Sequence, residues 1–230
     1  MIPGMNKNYT EIAFILDRSG SMGDCKEAAI EGFNRFLRDQ QQTQGLAKLT
    51  LVLFDDEYLV PVQALPVQEV PALDAATYVP RNTTALLDAI GATINDLGTR
   101  LSAIPEPDRP GQVIVTILTD GLENASQKFT WKDVSALIKH QTDVYKWTFL
   151  FLGANQDAIA TSAQINIAGG NAATYTADAA GSRSSHRSAS RKVKSLRMRA
   201  SPHASAQDLA DAAAPLSEIL KEEDQKERGK

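Results

Sequence analysis

Glu11-Ile12-Ala13-Phe14-Ile15-Leu16-Asp17-Arg18-Ser19-Gly20-Ser21 is the stretch on which the reading of this chain turns. It is a near-continuous apolar run that ends in a carboxylate and runs into glycine and serine. A strand covered on both faces has no polar side to expose, so it reads as an unbroken apolar run of this kind. The segment is therefore read as a buried strand of a parallel sheet, over residues 11–17.

Outward from it, residues 22–41 carry Ala29, Ile30, Phe33, Phe36 and Leu37 at three- and four-residue spacing, which predicts a helix. Residues 49–54 predict a second strand and 58–62 its hairpin partner, with Asp55-Asp56-Glu57 as the turn. Pro66, Pro71 and Pro80 mark residues 64–82 as loop with one helical turn. Leu87, Ile90, Ile94, Leu97 and Leu101 define one helical face over 84–101. Residues 113–118 form the most strand-like run in the chain. A helix is expected over 131–140, a strand over 147–152, a short helix over 157–163 and a weak last strand over 172–175. Strands alternating with helices imply a mostly parallel sheet covered on both sides. Ligands of such sheets bind at the carboxyl ends of the strands. The places to look are therefore the residues after Leu16, those after Leu118 and the start of the helix at Thr84.

Composition narrows the classes. The 230 residues are 43% hydrophobic and 23% charged, with a formal net charge of −4. That is the balance of a folded, mildly acidic protein, and it makes no general case for nucleic-acid binding. A single cysteine, Cys25, excludes an internal disulfide and a cysteine-built zinc cluster. Three histidines with no H-x-x-x-H pair argue against a histidine-built metal site. No basic segment leads into an apolar run at Met1–Lys7, and no stretch approaches bilayer-spanning length, so a cytoplasmic protein without membrane contact is expected.

Three segments converge on the predicted strand ends and carry the chemistry: Asp17-Arg18-Ser19-Gly20-Ser21, Asn82-Thr83-Thr84-Ala85-Leu86 and Thr119-Asp120-Gly121. Each offers short oxygen-bearing side chains and no nitrogen or sulfur ligand. Hard cations such as Mg²⁺ take oxygen donors. Two hydroxyls two residues apart on a tight turn can face one ion, a third from another loop completes a face, and two carboxylates supply charge. Taken together, Asp-x-Ser-x-Ser, a Thr before Ala-Leu, and Thr-Asp-Gly resemble the von Willebrand factor type A domain and its metal-ion-dependent adhesion site. The resemblance covers residues 9–199 and implies a Rossmann-like three-layer α/β sandwich, mostly parallel with one antiparallel edge strand. It further implies that Ser19, Ser21 and Thr84 ligate Mg²⁺ (or Mn²⁺ or Ca²⁺) through their hydroxyls. Asp17 and Asp120 would act mostly through bound water while orienting the serines. The register before Ala85-Leu86 favours Thr84 over Thr83. The family often has glycines where this chain has Arg81-Asn82-Thr83. An open coordination position would take an Asp or Glu from a partner protein, which makes the chain a binding module and not an enzyme, of an intracellular bacterial type.

Other readings stand beside this one. Ser and Thr after strands also serve as helix caps, so Ser21, Thr83 or Thr84 has that bland alternative. Glu123 reads as an exposed loop acid. A Mg²⁺-dependent phosphohydrolase built on Asp17 lacks the second acid two residues on, where Ser19 stands. A serine hydrolase lacks the complete motif and a placed histidine. Gly153-Ala154-Asn155-Gln156-Asp157 is too short a match for a phosphate loop. Cys25 reads as a packing residue. The basic run over 181–199 is either a strip for phosphate-rich partners or an amphipathic last helix, and its spacing favours the helix. Residues 200–230 are expected to form a linker, one amphipathic helix with Leu209, Ala213, Leu216, Ile219 and Leu220, and a frayed charged end. A third reading makes these C-terminal helices the interaction surface of a scaffold with a vestigial metal site.

Overall fold

Ile12, Phe14 and Leu16 face one hydrophobic core and Ala13 and Ile15 face another, all five fully buried. Burial on both sides is why their run shows no polar alternation. The computed structural model describes residues 5–154, 158–199 and 201–229. In it this strand, β1 (Asn6–Asp17), lies inside a six-stranded sheet with β2 (Leu46–Phe54), β3 (Tyr58–Pro66), β4 (Pro110–Thr119), β5 (Thr148–Ala154) and β6 (Ala172–Tyr175). The order is β3-β2-β1-β4-β5-β6; β3 pairs antiparallel and every other pair is parallel. This is the three-layer α/β sandwich with one antiparallel edge strand that the sequence predicts.

The helices are α1 (Lys26–Gln42), α2 (Leu86–Ser102), α3 (Trp131–Tyr145), α4 (Ala158–Gln164), α5 (Ala179–Met198), α6 (Ala206–Ala213) and α7 (Leu216–Arg228). Phe33, Phe36 and Leu37 of α1 join Ala189 and Val193 of α5 and Leu216 and Leu220 of α7 in one core. Ile90, Ile94 and Leu97 of α2 join Val134 and Ile138 of α3 in the other. The chain runs from β1 to β2 on one side and then crosses to β4 on the other side of β1. The reversal opens a crevice at the carboxyl ends of β1 and β4.

Several elements differ from expectation: β1 starts at Asn6, and β3 runs to Pro66, into residues read as loop. A 3-10 helix over Gly20–Cys25 precedes α1, so the helix proper starts later than the periodicity indicates. α3 continues to Tyr145, which places His140 inside the helix and not at its end. The C-terminal segment is two helices, because Pro215 follows Ala214 and a residue before proline is driven out of the helical region. Its last turns hold to Arg228, whose guanidinium pairs with Asp224 and Asp178. Asn155, Gln156 and Asp157, with the expected helix start at 157, lie outside the described residues. Among the described residues, no helix is long and apolar enough to cross a membrane.

Candidate metal centre

Asp17 closes β1 with a fully buried side chain. One carboxylate oxygen accepts the Ser19 N–H at 2.7 Å and the other accepts the Thr119 hydroxyl at 2.5 Å. Thr119 ends β4, so this carboxylate ties the ends of the two central strands together. The Ser19 and Ser21 hydroxyls lie 3.1 Å apart, and Ser21 Oγ donates to Asp120 at 2.5 Å. Gly20 lets the turn approach the neighbouring loop: its N–H donates to the Asn82 carbonyl at 3.1 Å, and a Cβ there would sit 3.3 Å from that oxygen.

Thr84 comes in over the end of β4. A Cβ on Gly121 would meet the Thr84 hydroxyl at 2.7 Å, so only glycine after Asp120 admits the third hydroxyl. Thr84 is held by Asn124 through two bonds: the Thr84 N–H donates to Asn124 Oδ1 at 2.9 Å and the Thr84 carbonyl accepts the Asn124 N–H at 3.0 Å. Thr84 is buried and Thr83 is exposed. Asp17, Ser19, Ser21, Thr84 and Asp120 are thus gathered at one rim of the sheet. Helix capping does not account for the hydroxyls. No side-chain cap stands at the start of the 3-10 helix or at Ala85 before α2. The first amides of α2 are served by other groups, Leu87 by the Glu123 carboxylate at 2.9 Å and Asp88 by the Ser126 hydroxyl at 3.0 Å.

No protein-family model matches the sequence, and no curated protein matches it. Solved structures do share its architecture. Proximal thread matrix protein 1 from the mussel byssus superposes with a TM-score of 0.55 at 15% identity, over 79% of this chain and 45% of that one. The von Willebrand factor type A protein from Catenulispora acidiphila gives 0.54 at 18%, over 81% and 42%. The ArnB paralog VWA2 from Sulfolobus acidocaldarius gives 0.52 at 15%, over 80% and 45%. The fold is that of a von Willebrand factor type A domain. The chain spans less than half the length of each of these proteins, and at these identities the likeness establishes the fold.

Within this von Willebrand A fold, the rim is charged in a way that suits a cation. Burial pushes the Asp17 carboxyl above the usual carboxylate range, against the lowering by its hydrogen bonds from Thr119 and Ser19. Burial also pushes Asp120 up to about 6, opposed by the Ser21 hydrogen bond and reinforced by repulsion from Asp17. Among the described residues neither carboxylate forms an ion pair, and no group of three or more His, Cys, Asp or Glu is arranged to hold a metal. A metal here depends on the hydroxyls. Three hydroxyls and two carboxylates form an all-oxygen donor set that fits Mg²⁺, Mn²⁺ or Ca²⁺.

Several supporting residues escape a local reading of the sequence. The Tyr78 hydroxyl donates to the Asp17 carbonyl at 2.6 Å and the Tyr175 hydroxyl to the Thr119 carbonyl at 3.2 Å, forming a floor under the two strand ends. Thr119 could have been found from its oxygen alone, since it adjoins Asp120. Asn124 and the tyrosines are placed by long-range folding and leave no local signal. Glu123 is half-buried and binds the amides of Leu87, Ala125 and Ser126, which corrects the expectation of an exposed loop acid.

Proposed function

We propose that this chain is a divalent-cation-dependent protein-binding module, without catalysis, whose metal is held by the hydroxyls of Ser19, Ser21 and Thr84. Asp17 and Asp120 supply the negative charge and orient the serines. The single observation that carries this reading is a pair of carboxylates, Asp17 fully buried and Asp120 half-buried, without a basic partner among the described residues, beside three hydroxyls that cap no helix. A cation relieves the repulsion between the carboxylates. A site built partly from neutral hydroxyls leaves that cation short of negative charge, which favours an Asp or Glu from a partner. A form of the mussel byssus protein described with a zinc-occupied MIDAS motif superposes at a TM-score of 0.52 and 16% identity, which supports reading a divalent cation in a protein of this fold.

The phosphohydrolase alternative draws no support from the rim. Both Asp17 oxygens are engaged by hydrogen bonds and the side chain is fully buried, so it is poorly placed to attack a phosphorus atom. The test is partner retention by the immobilised full chain, read by mass spectrometry. Proteins retained in Mg²⁺ are expected to elute with EDTA and to be missing from Ser21→Ala. Retention unchanged by EDTA and by Ser21→Ala would overturn the reading.

A further inference from the structure

Asp55, read from the sequence as a hairpin-turn residue, is fully buried beside the metal-centre loops. One carboxylate oxygen accepts the Glu57 N–H at 2.6 Å. The other receives Arg81 Nε at 2.8 Å and lies 3.1 Å from an Arg18 guanidinium nitrogen. Its backbone carbonyl accepts the N–H of Ala85 at 2.8 Å, the residue directly after Thr84. Two further backbone bonds close the same loops on each other: the Arg81 N–H donates to the Arg18 carbonyl at 2.9 Å, and the Arg18 N–H to the Phe54 carbonyl at 2.8 Å. Arg18 and Arg81 both pair also with Glu57, at the exposed edge of the cluster.

We propose that Asp55, with Arg18 and Arg81, is a positioning device that sets Thr84 against the Ser19–Ser21 turn and thereby sets cation affinity without meeting the ion. This rests on the metal reading above and names how that site is assembled. The four side chains carry two positive and two negative charges, so the cluster is neutral by itself and does not compete for the ion. It also accounts for the departure Arg81-Asn82-Thr83. Asn82 holds the left-handed conformation (φ 56°), which asparagine tolerates better than most non-glycine residues. Arg81 anchors to Asp55 the backbone that glycines would leave free. Arg18 links the first loop to the same carboxylate. The guanidinium fork suits one acceptor approached from two loops, whereas a lysine ammonium would keep the charge and lose the geometry.

A merely stabilising ion cluster and a positioning device differ in one measurable respect. A positioning device acts through Thr84, so its removal has little left to change once the Thr84 hydroxyl is gone. Free Mn²⁺ counted by electron paramagnetic resonance gives the affinity of the full chain, with thermal midpoints recorded alongside. Asp55→Asn is expected to weaken Mn²⁺ binding tenfold or more in the wild-type background and less than twofold in Thr84→Ala. Arg81→Lys, a milder change should Asp55→Asn fail to fold, is expected to weaken binding threefold or more, with the same dependence on Thr84. Equal losses in both backgrounds, or full affinity in Asp55→Asn or Arg81→Lys, would overturn the proposal while leaving the metal reading intact. A wild-type chain that binds no Mn²⁺ would overturn the metal reading itself, and this proposal with it.

Discussion

His186 shows at the residue scale how tightly the layer opposite α2 is packed. Its ring stacks on Phe14 with centroids 5.9 Å apart, and its Nδ1 lies 2.8 Å from the Ser182 carbonyl. A Cβ on Gly32 would come within 2.5 Å of the ring, so α1 and α5 approach at the one point where α1 has no side chain. Burial in this contact pushes the imidazole down to about 4. The sign follows: the unfolded chain, with an ordinary histidine near 6.5, takes up the proton first as pH falls. The stabilisation from the neutral buried ring is complete above pH 6.5 and is lost progressively towards pH 4. At pH 4.5 the loss amounts to about 2.5 kcal/mol, from about 1.4 kcal/mol per pKa unit. Urea unfolding of the wild type and His186→Gln at pH 7.0 and 4.5 checks this. The wild type is expected to lose that much more than the variant over the interval; equal losses would contradict it.

At the scale of elements, the basic run over 181–199 is the helix that its spacing predicts, α5, but its basic face is covered and not solvated as expected. Arg183 pairs with Glu227, Arg187 with Glu223 and Glu227, and Arg191 with Asp211, Glu222 and Glu223. Arg197 donates to the carbonyls of Gln40, Thr43 and Gly45 at the end of α1, and Lys192 to those of Asp211, Ala212 and Ala214 at the end of α6. Cations at helix C-termini meet the negative end of the dipole. These charges are spent inside the molecule, and α6 and α7 cover the strip. Leu216, Ile219 and Leu220 of α7 are buried as well. At about 2 kcal/mol for each buried side chain they contribute about 6 kcal/mol, a large part of a typical domain's stability. A chain ending at residue 199 is therefore expected to lose its cooperative thermal transition, or to melt more than 10 °C lower, by circular dichroism. An unchanged melting curve would show that α6 and α7 are appendages. The break between these helices is written in Ala214-Pro215, a signal that the expectation of one helix passed over. The partners of the α5 arginines were not legible, because charge spacing along one helix does not say which acids another helix brings to it.

Across the whole molecule, the legible features are those written in consecutive residues. β1, β4 and β5 announce themselves as unbroken apolar runs because the sheet is covered on both faces. The three oxygen-bearing segments are legible because two follow strand ends and the third leads into α2, so that backbone turns and side-chain oxygens are neighbours in sequence. Tyr78, Asn124 and Asp55 reach the rim from loops that no periodicity governs, and only the folded chain brings them there. The position of the rim is a consequence of topology: reversal of the strand order between β1 and β4 opens one crevice, and all five oxygen-bearing residues line its edge.

That crevice also holds the two carboxyls that burial pushes above the usual carboxylate range. The buried Asp17 and the half-buried Asp120 repel each other there; on the proposed reading a bound cation would relieve this in the folded state alone, so added metal is expected to raise stability with concentration. Isothermal titration of Mn²⁺ into the chelator-stripped full chain is the most direct test, run on the wild type and Ser21→Ala at pH 7.5 and 5.0. The prediction is a saturable single site in the wild type that weakens at pH 5.0, where Asp120 must release a proton to receive the ion, and that is lost or weakened at least tenfold in Ser21→Ala. No saturable uptake by the wild type, or uptake identical in Ser21→Ala, would contradict the account.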